Sequence, residues 1–453
     1  AGRGAMSAHP AERRRSLVVR GGLVVTCDAR DTVRRADVLV RDGRIAAVGR
    51  VPAAPQLPTL DARGAFVLPG LVMAHVHLCQ ALFRGAADDL PLLRWLRERI
   101  WPLEAAHDVA SLRASAELGL AELVRAGVTT VLDHGPVHDY EVVLEVARRA
   151  GVRLFGGKAL MDRGAGVPRR LVEATGRALA SAERLERSCR ADVTGRTRYV
   201  WVPRFVLSCS EALVRGAVER AAETAALLHT HAAEHRAERA AVRAAFGASD
   251  VALLRRWGLR GPRASIAHGV QLTAAERRHL AADGTGVVHC PSANLKLGSG
   301  VADVAALIAA GVVVGLGPDG APCNNNLDPW VELRHAALLA SLRAGPGAVP
   351  ARRVLRLATL DGARLLGRER DLGSVEPGKL ADLVLVRRGR PHAVPEFDPV
   401  GTLVYATQAR DVTHVLVGGE LLVRDGELVT LDAERAAAHA GVEAARVARR
   451  AGL

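Results

Sequence analysis

Apolar positions along the chain fall into two regimes. Near the N-terminus, short β-rich runs at 17–19, 23–26 and 38–40 alternate with the turn formers Gly21, Gly22, Asp42 and Gly43, which predicts a small antiparallel unit. The pattern returns late in the chain, where runs at 381–386, 412–417 and 420–423 alternate with Gly378, Gly418 and Gly419. The two ends are expected to close one sheet together. Between them, apolar strand-like runs alternate with Ala-, Leu-, Glu- and Arg-rich stretches of helical period, as parallel strands with crossover helices do. The strands are read at 71–78, 129–133, 153–160, 199–205, 227–234, 264–272, 286–291 and 312–319. Eight such units make a barrel, and these runs end in chemically capable residues, at the strand ends where such barrels place their active sites.

Composition narrows the setting. At 453 residues the chain can hold the barrel and an accessory unit. It is 49% apolar with no uninterrupted run of membrane-spanning length, so a soluble protein with no membrane partner is expected. Its opening 16 residues are rich in Ala and Arg and lack an apolar signal core, which predicts a cytoplasmic location. A formal charge of +14 raises the question of nucleic acid. Arginine is scattered over every segment, however, lysine occurs only at positions 158, 296 and 379, and aromatic residues are only 3% of the chain, so no nucleic-acid partner is expected. The six cysteines are widely spaced and form no CxxC, which predicts reduced thiols packed as small hydrophobes. A homo-oligomer, a dimer, is expected.

His75 and His77 lie two apart on the first predicted strand, so they point to one face and can grip one cation. Three further features follow in order at strand ends: His231 in His229-Thr230-His231, His268 in Ile266-Ala267-His268, and Asp319 in Gly317-Pro318-Asp319-Gly320. Neutral histidines with one carboxylate and an open position suit a catalytic divalent ion, zinc first and iron as the alternative. Glu234, three residues past His231, is placed to carry a proton.

With these residues in view the sequence resembles the amidohydrolase superfamily, from Leu17 to about Val429. Pro69-Gly70-Leu71-Val72-Met73-Ala74-His75-Val76-His77 is similar to its first-strand metal motif, and Gly378-Lys379-Leu380-Ala381-Asp382-Leu383-Val384 to its C-terminal signature. The segments 229–234, 266–269, 289–300 and 317–328 resemble the deaminase and chlorohydrolase branch. The resemblance implies an α/β fold, a TIM-type (β/α)8 barrel at 69–371, with a small β-sandwich domain built from 17–68 and 372–430 and a C-terminal helix at 431–453. It implies one metal held by His75, His77, His231 and Asp319, with His268 beside it. Glu234 would take the proton of the attacking water and return it to a ring nitrogen, while Asp319 passes the remaining proton to departing ammonia. Pro318 replaces the usual Thr and Gln271 a frequent second His, and neither removes a ligand.

The substrate implied is an aminated nitrogen heterocycle, most simply a purine. The segments 87–92, 100–104 and 319–326 resemble S-adenosylhomocysteine and 5'-deoxyadenosine deaminases, where the residue matching Glu104 holds ribose hydroxyls. The segments 77–80, 157–162 and 203–210 resemble guanine deaminase, where residues matching Gln80 and Arg204 read the purine edge. An arginine donor complements a carbonyl acceptor, so an oxo-purine is expected to be preferred to adenine-type rings. Lys158 and Asn294 are pocket candidates by motif, whereas Trp95, Trp101 and Trp330 are expected to pack in the core. An s-triazine or pterin hydrolase is the alternative within enzymes, and a catalytically silent scaffold the alternative outside them.

Overall fold

The computed structural model describes residues 15–453; the basic opening stretch before them lies outside the described residues. The N-terminal strands are β1 (Leu17–Val25), β2 (Val33–Arg41), β3 (Arg44–Gly49), β4 (Thr59–Asp61) and β5 (Ala65–Pro69). The barrel strands are β6 (Leu71–Val76), β7 (Val128–His134), β8 (Arg153–Gly157), β9 (Ala159–Leu160), β10 (Thr197–Pro203), β11 (Leu227–Ala232), β12 (Ala264–His268), β13 (Gly286–His289) and β14 (Val314–Leu316). The chain returns through β15 (Leu383–Arg387), β16 (Val412–Val417), β17 (Glu420–Arg424) and β18 (Glu427–Leu428), then the helix Ala433–Ala451.

Both chain ends share one mixed sheet, as expected, ordered β18-β17-β16-β15-β5-β1-β2-β3 with β4 beside β1. The seam is antiparallel β5 against β15, Pro69 opposite Leu383 and Ala65 opposite Arg387. The runs read at 17–19 and 23–26 are a single strand with a register shift between Val19 and Gly22, where Gly21 takes φ +72°. Alternation along β5 divides the sheet's two faces: Val67 joins a core within the sheet, whereas Phe66 and Leu68 join the barrel's core. Asp382 rivets the two units. Its carboxylate takes Arg153 at 2.7 and 2.9 Å and the Gly418 amide at 2.7 Å, while its carbonyl accepts the Gly70 amide.

The barrel sheet runs β14-β13-β12-β11-β10-β8-β7-β6 with β9 beside β10, and all its strand pairs are parallel. Closure between β14 and β6 comes through a bridge between Asp319 and Val76, supported by Asp319 N–H donating to the His75 carbonyl at 3.2 Å. Gly317 permits this approach, since a Cβ there would lie 2.5 Å from that carbonyl oxygen. The seam of the barrel thus brings the first and last predicted metal-binding segments together.

Several strands stop short of the expected ends. Where 227–234, 264–272 and 312–319 were read as strand, the backbone turns out of the ladder at Ala233 (φ 53°), His268 (φ 75°) and Asp319 (φ 62°). Left-handed non-glycine residues are held only where the surroundings over-determine them, at about 1–3 kcal/mol each. Here they aim side chains across the barrel mouth.

Candidate metal centre and active site

His75, His77, His231 and Asp319 converge at the C-terminal mouth of the barrel, all buried. His77 Nδ1 donates to the His134 carbonyl at 2.8 Å and His231 Nδ1 to the Arg204 carbonyl at 2.7 Å. Both Nε2 atoms are therefore lone-pair groups, yet they face each other at 3.2 Å. Two lone pairs at that distance repel unless a cation lies between them. His75 adds a third. Its Nδ1 meets His229 Nε2 at 2.8 Å, His229 Nδ1 meets Ser265 Oγ at 2.8 Å, and its buried Nε2 has no hydrogen-bond partner. Burial pushes the His75 pKa down to about 4, so the ring is a neutral donor at neutral pH. Asp319 Oδ1 lies 3.2 Å from His75 Nε2 and 3.3 Å from His77 Nε2. Burial works to raise the Asp319 pKa, but the contacts to His75 and His77 outweigh it and hold the carboxyl well below the usual range. Three imidazoles and one carboxylate fit a divalent cation; ligand atoms of His75, His77 and Asp319 lie within 4.8 Å of one another, as do those of His75, His231 and His268.

Glu234 lies 3.4 Å from His268 Nε2, and His268 lies 3.9 Å from Asp319 Oδ2. Burial first, then the charges of Glu238 and Asp319, push the Glu234 pKa well above the usual carboxylate value. Its placement depends on the turn after β11. Glu238 accepts the amides of Glu234 and His235 at 3.1 and 3.4 Å, and Asp250 accepts that of Ala233 at 2.6 Å. His268 is oriented in turn by Asn294, whose Oδ1 lies 3.0 Å from its Nδ1.

A cleft with about 400 Å³ of atom-free space opens beside this cluster. It is lined by the polar side chains of His77, His231, His268, Asp319, Glu234, Gln80 and Arg204 and by the apolar ones of Leu92, Trp95, Leu96, Phe205 and Leu297. The apolar side chains suit the faces of a flat ring and the polar ones its edge. Arg204 is already partnered: it grips Glu104 at 2.5 and 3.0 Å, and Gln80 donates to the same carboxylate at 2.8 Å. Gln80 Oε1 remains buried without a partner.

The profile of the Amidohydrolase family matches residues 66–422. The chain belongs to the amidohydrolase family. A 5-methylthioadenosine/S-adenosylhomocysteine deaminase of Halobacterium salinarum is 40% identical over 443 residues, covering 96% of this amidohydrolase and 99% of that protein. A 5'-deoxyadenosine deaminase of Methanothermobacter thermautotrophicus is 38% identical over 402 residues, covering 88% and 92%. Among solved structures, an adenosine deaminase from Xanthomonas campestris with bound zinc superimposes with a TM-score of 0.89 at 33% identity, covering 96% and 98%.

Three of the amidohydrolase's predicted pocket residues stand elsewhere than expected. Lys158 faces outward and binds Glu173 at 2.5 Å and Ser181 at 2.8 Å, because its position between β8 and β9 turns it to the helix Thr175–Arg190. Asn294 serves His268 and does not line the cleft, and Glu104 sits behind Gln80 and Arg204. Trp95 packs in the core as expected and also lines the cleft, where a π-helical turn at Leu96–Ile100 interrupts its helix. His229 was passed over although it shares a motif with His231. Glu238 and Asp250 were missed, and the one available signal was the capping spacing of His235 and Glu238.

Proposed function

We propose that this amidohydrolase removes the exocyclic amine from the adenine ring of a 5'-modified adenosine, such as 5'-methylthioadenosine, S-adenosylhomocysteine or 5'-deoxyadenosine, with release of ammonia. The observation that carries this reading is the end-to-end 40% identity to a relative of that activity. The guanine-type preference expected above rested on Arg204 needing a carbonyl acceptor. With Glu104 bound to both its terminal nitrogens, that requirement is gone.

His75, His77, His231 and Asp319 would hold one divalent ion, with zinc supported by its presence in the Xanthomonas relative. Such an ion supplies Lewis acidity that brings the pKa of water toward neutrality. The protein does the rest. Leu92, Trp95, Leu96 and Phe205 hold the ring faces and exclude solvent. Glu234 takes a proton from the attacking water, is favoured in its protonated form by burial, and delivers that proton to the ring nitrogen as the adjacent carbon becomes tetrahedral. Asp319 takes the proton remaining on the attacking oxygen and passes it to the departing amine, and His268, fixed by Asn294, holds that oxygen in line.

Ammonia release from 5'-methylthioadenosine, S-adenosylhomocysteine, 5'-deoxyadenosine, adenosine, guanine, a pterin and melamine tests the reading. The highest kcat/KM is expected among the 5'-modified adenosines; guanine, pterin or melamine turned over faster would overturn it. The dimer expectation is checked by light scattering of the purified protein.

A further inference from the structure

A second concavity, wider than the active-site cleft, lies at the opposite, N-terminal mouth of the barrel, with about 1240 Å³ of atom-free space, open solvent included, against about 400 Å³ for the cleft. Four arginines line it: Arg190, Arg198, Arg263 and Arg368. Two carboxylates share the wall, each hydrogen-bonded to a threonine of the same wall. Asp192 takes the Thr197 amide at 2.9 Å and hydroxyl at 2.6 Å, and Glu186 accepts the Thr224 hydroxyl.

The arginines are placed for something other than each other. Strand alternation that buries Val200 and Val202 beside Phe155 and Leu366 inside the barrel turns Arg198 the same way, over the open end of that layer. Among the described residues, Arg190, Arg198 and Arg263 lie within 4.0 Å of no carboxylate. Arg368 gives Nε and Nη2 to Asp371 at 3.2 and 2.9 Å, but its Nη1 is buried with no partner. Partial burial and the facing Arg368 charge press the Arg198 pKa below the usual guanidinium value, a repulsion that a bound anion would relieve. An unpartnered guanidinium nitrogen and three guanidinium groups without carboxylate partners around one cavity are the elements of a phosphate-binding site.

We propose that this mouth binds a compact polyanion of the polyphosphate class, at a site separate from the active-site cleft. Isothermal titration of the full-length protein with inorganic tripolyphosphate tests it. Wild type is expected to show saturable binding of one ligand per chain, and the R198Q/R263Q variant to bind about tenfold more weakly or worse, the equivalent of two lost charge-assisted contacts. Because both side chains are exposed, the variant should melt like wild type, and E234Q should bind like wild type. Heat that never saturates in wild type, or equal affinity in R198Q/R263Q, overturns the proposal.

Discussion

Replacing Arg204 by methionine removes half of a buried ion pair and leaves the other half behind. The Arg204 and Glu104 side chains are 6% and 5% exposed and meet fork to fork. Stranding one partner of such a pair costs about 3–5 kcal/mol, whereas replacing both with apolar groups of similar volume is often neutral. Arg204→Met is expected to destabilise by about that amount, and the double variant with Glu104→Leu by less than either single change. The pH dependence carries a sign. In wild type, burial works to raise the Glu104 pKa, but the Arg204 charge and hydrogen bonds outweigh it and hold the carboxyl below its ordinary value. A depressed carboxylate contributes stability that is present above the unfolded pKa and lost only as the solution turns acid. Without Arg204, burial dominates and the folded pKa rises above the unfolded one, so stability falls as pH climbs from the unfolded toward the folded value. The gap between wild type and Arg204→Met should therefore widen with pH, by at most about 1.4 kcal/mol per unit. Urea titrations across about pH 5 to 8 measure it. A gap that stays constant, or a double variant as unstable as the sum of the singles, refutes the reasoning.

Other expected outcomes follow from the same geometry. Glu234→Gln should keep the bound ion and substrate affinity while losing about 10²- to 10⁴-fold in kcat, and near-normal turnover would move the proton to another group. His229→Ala removes the anchor of His75 Nδ1 and should weaken metal affinity about 10- to 100-fold, read by competition with a chromogenic chelator. All six cysteines are buried, and burial pushes the Cys27 and Cys209 thiols up to about 12, so a thiol reagent near pH 8 should titrate none before denaturation and six after.

Much of the fold was legible because its signals are periodic. Alternation between apolar runs and helical stretches located the barrel strands, and the matching Gly-punctuated ends located the shared sheet. Strand ends were misjudged because a left-handed turn at Ala233, His268 or Asp319 leaves no trace in hydrophobic period. The convergence of His75 and His77 was legible because two-residue spacing on a strand is itself geometry. Arg204 and Glu104 lie one hundred residues apart, and no local pattern announces that they neutralise each other. Lys158 shows the reverse error, a suggestive motif position whose side chain faces a helix. Glu238 and Asp250 act through backbone amides; the capping spacing from His235 hints at the first, and no local pattern points to the second.

The central claim is that His75, His77, His231 and Asp319 hold an ion on which turnover depends. Elemental analysis of protein stripped by chelator and reloaded in steps, with deamination of 5'-methylthioadenosine followed at each step, tests it directly. Activity should rise in proportion to bound divalent metal and level at one ion per chain, with H75A/H77A binding none. Full activity in metal-free protein, or unchanged metal content in H75A/H77A, would contradict it.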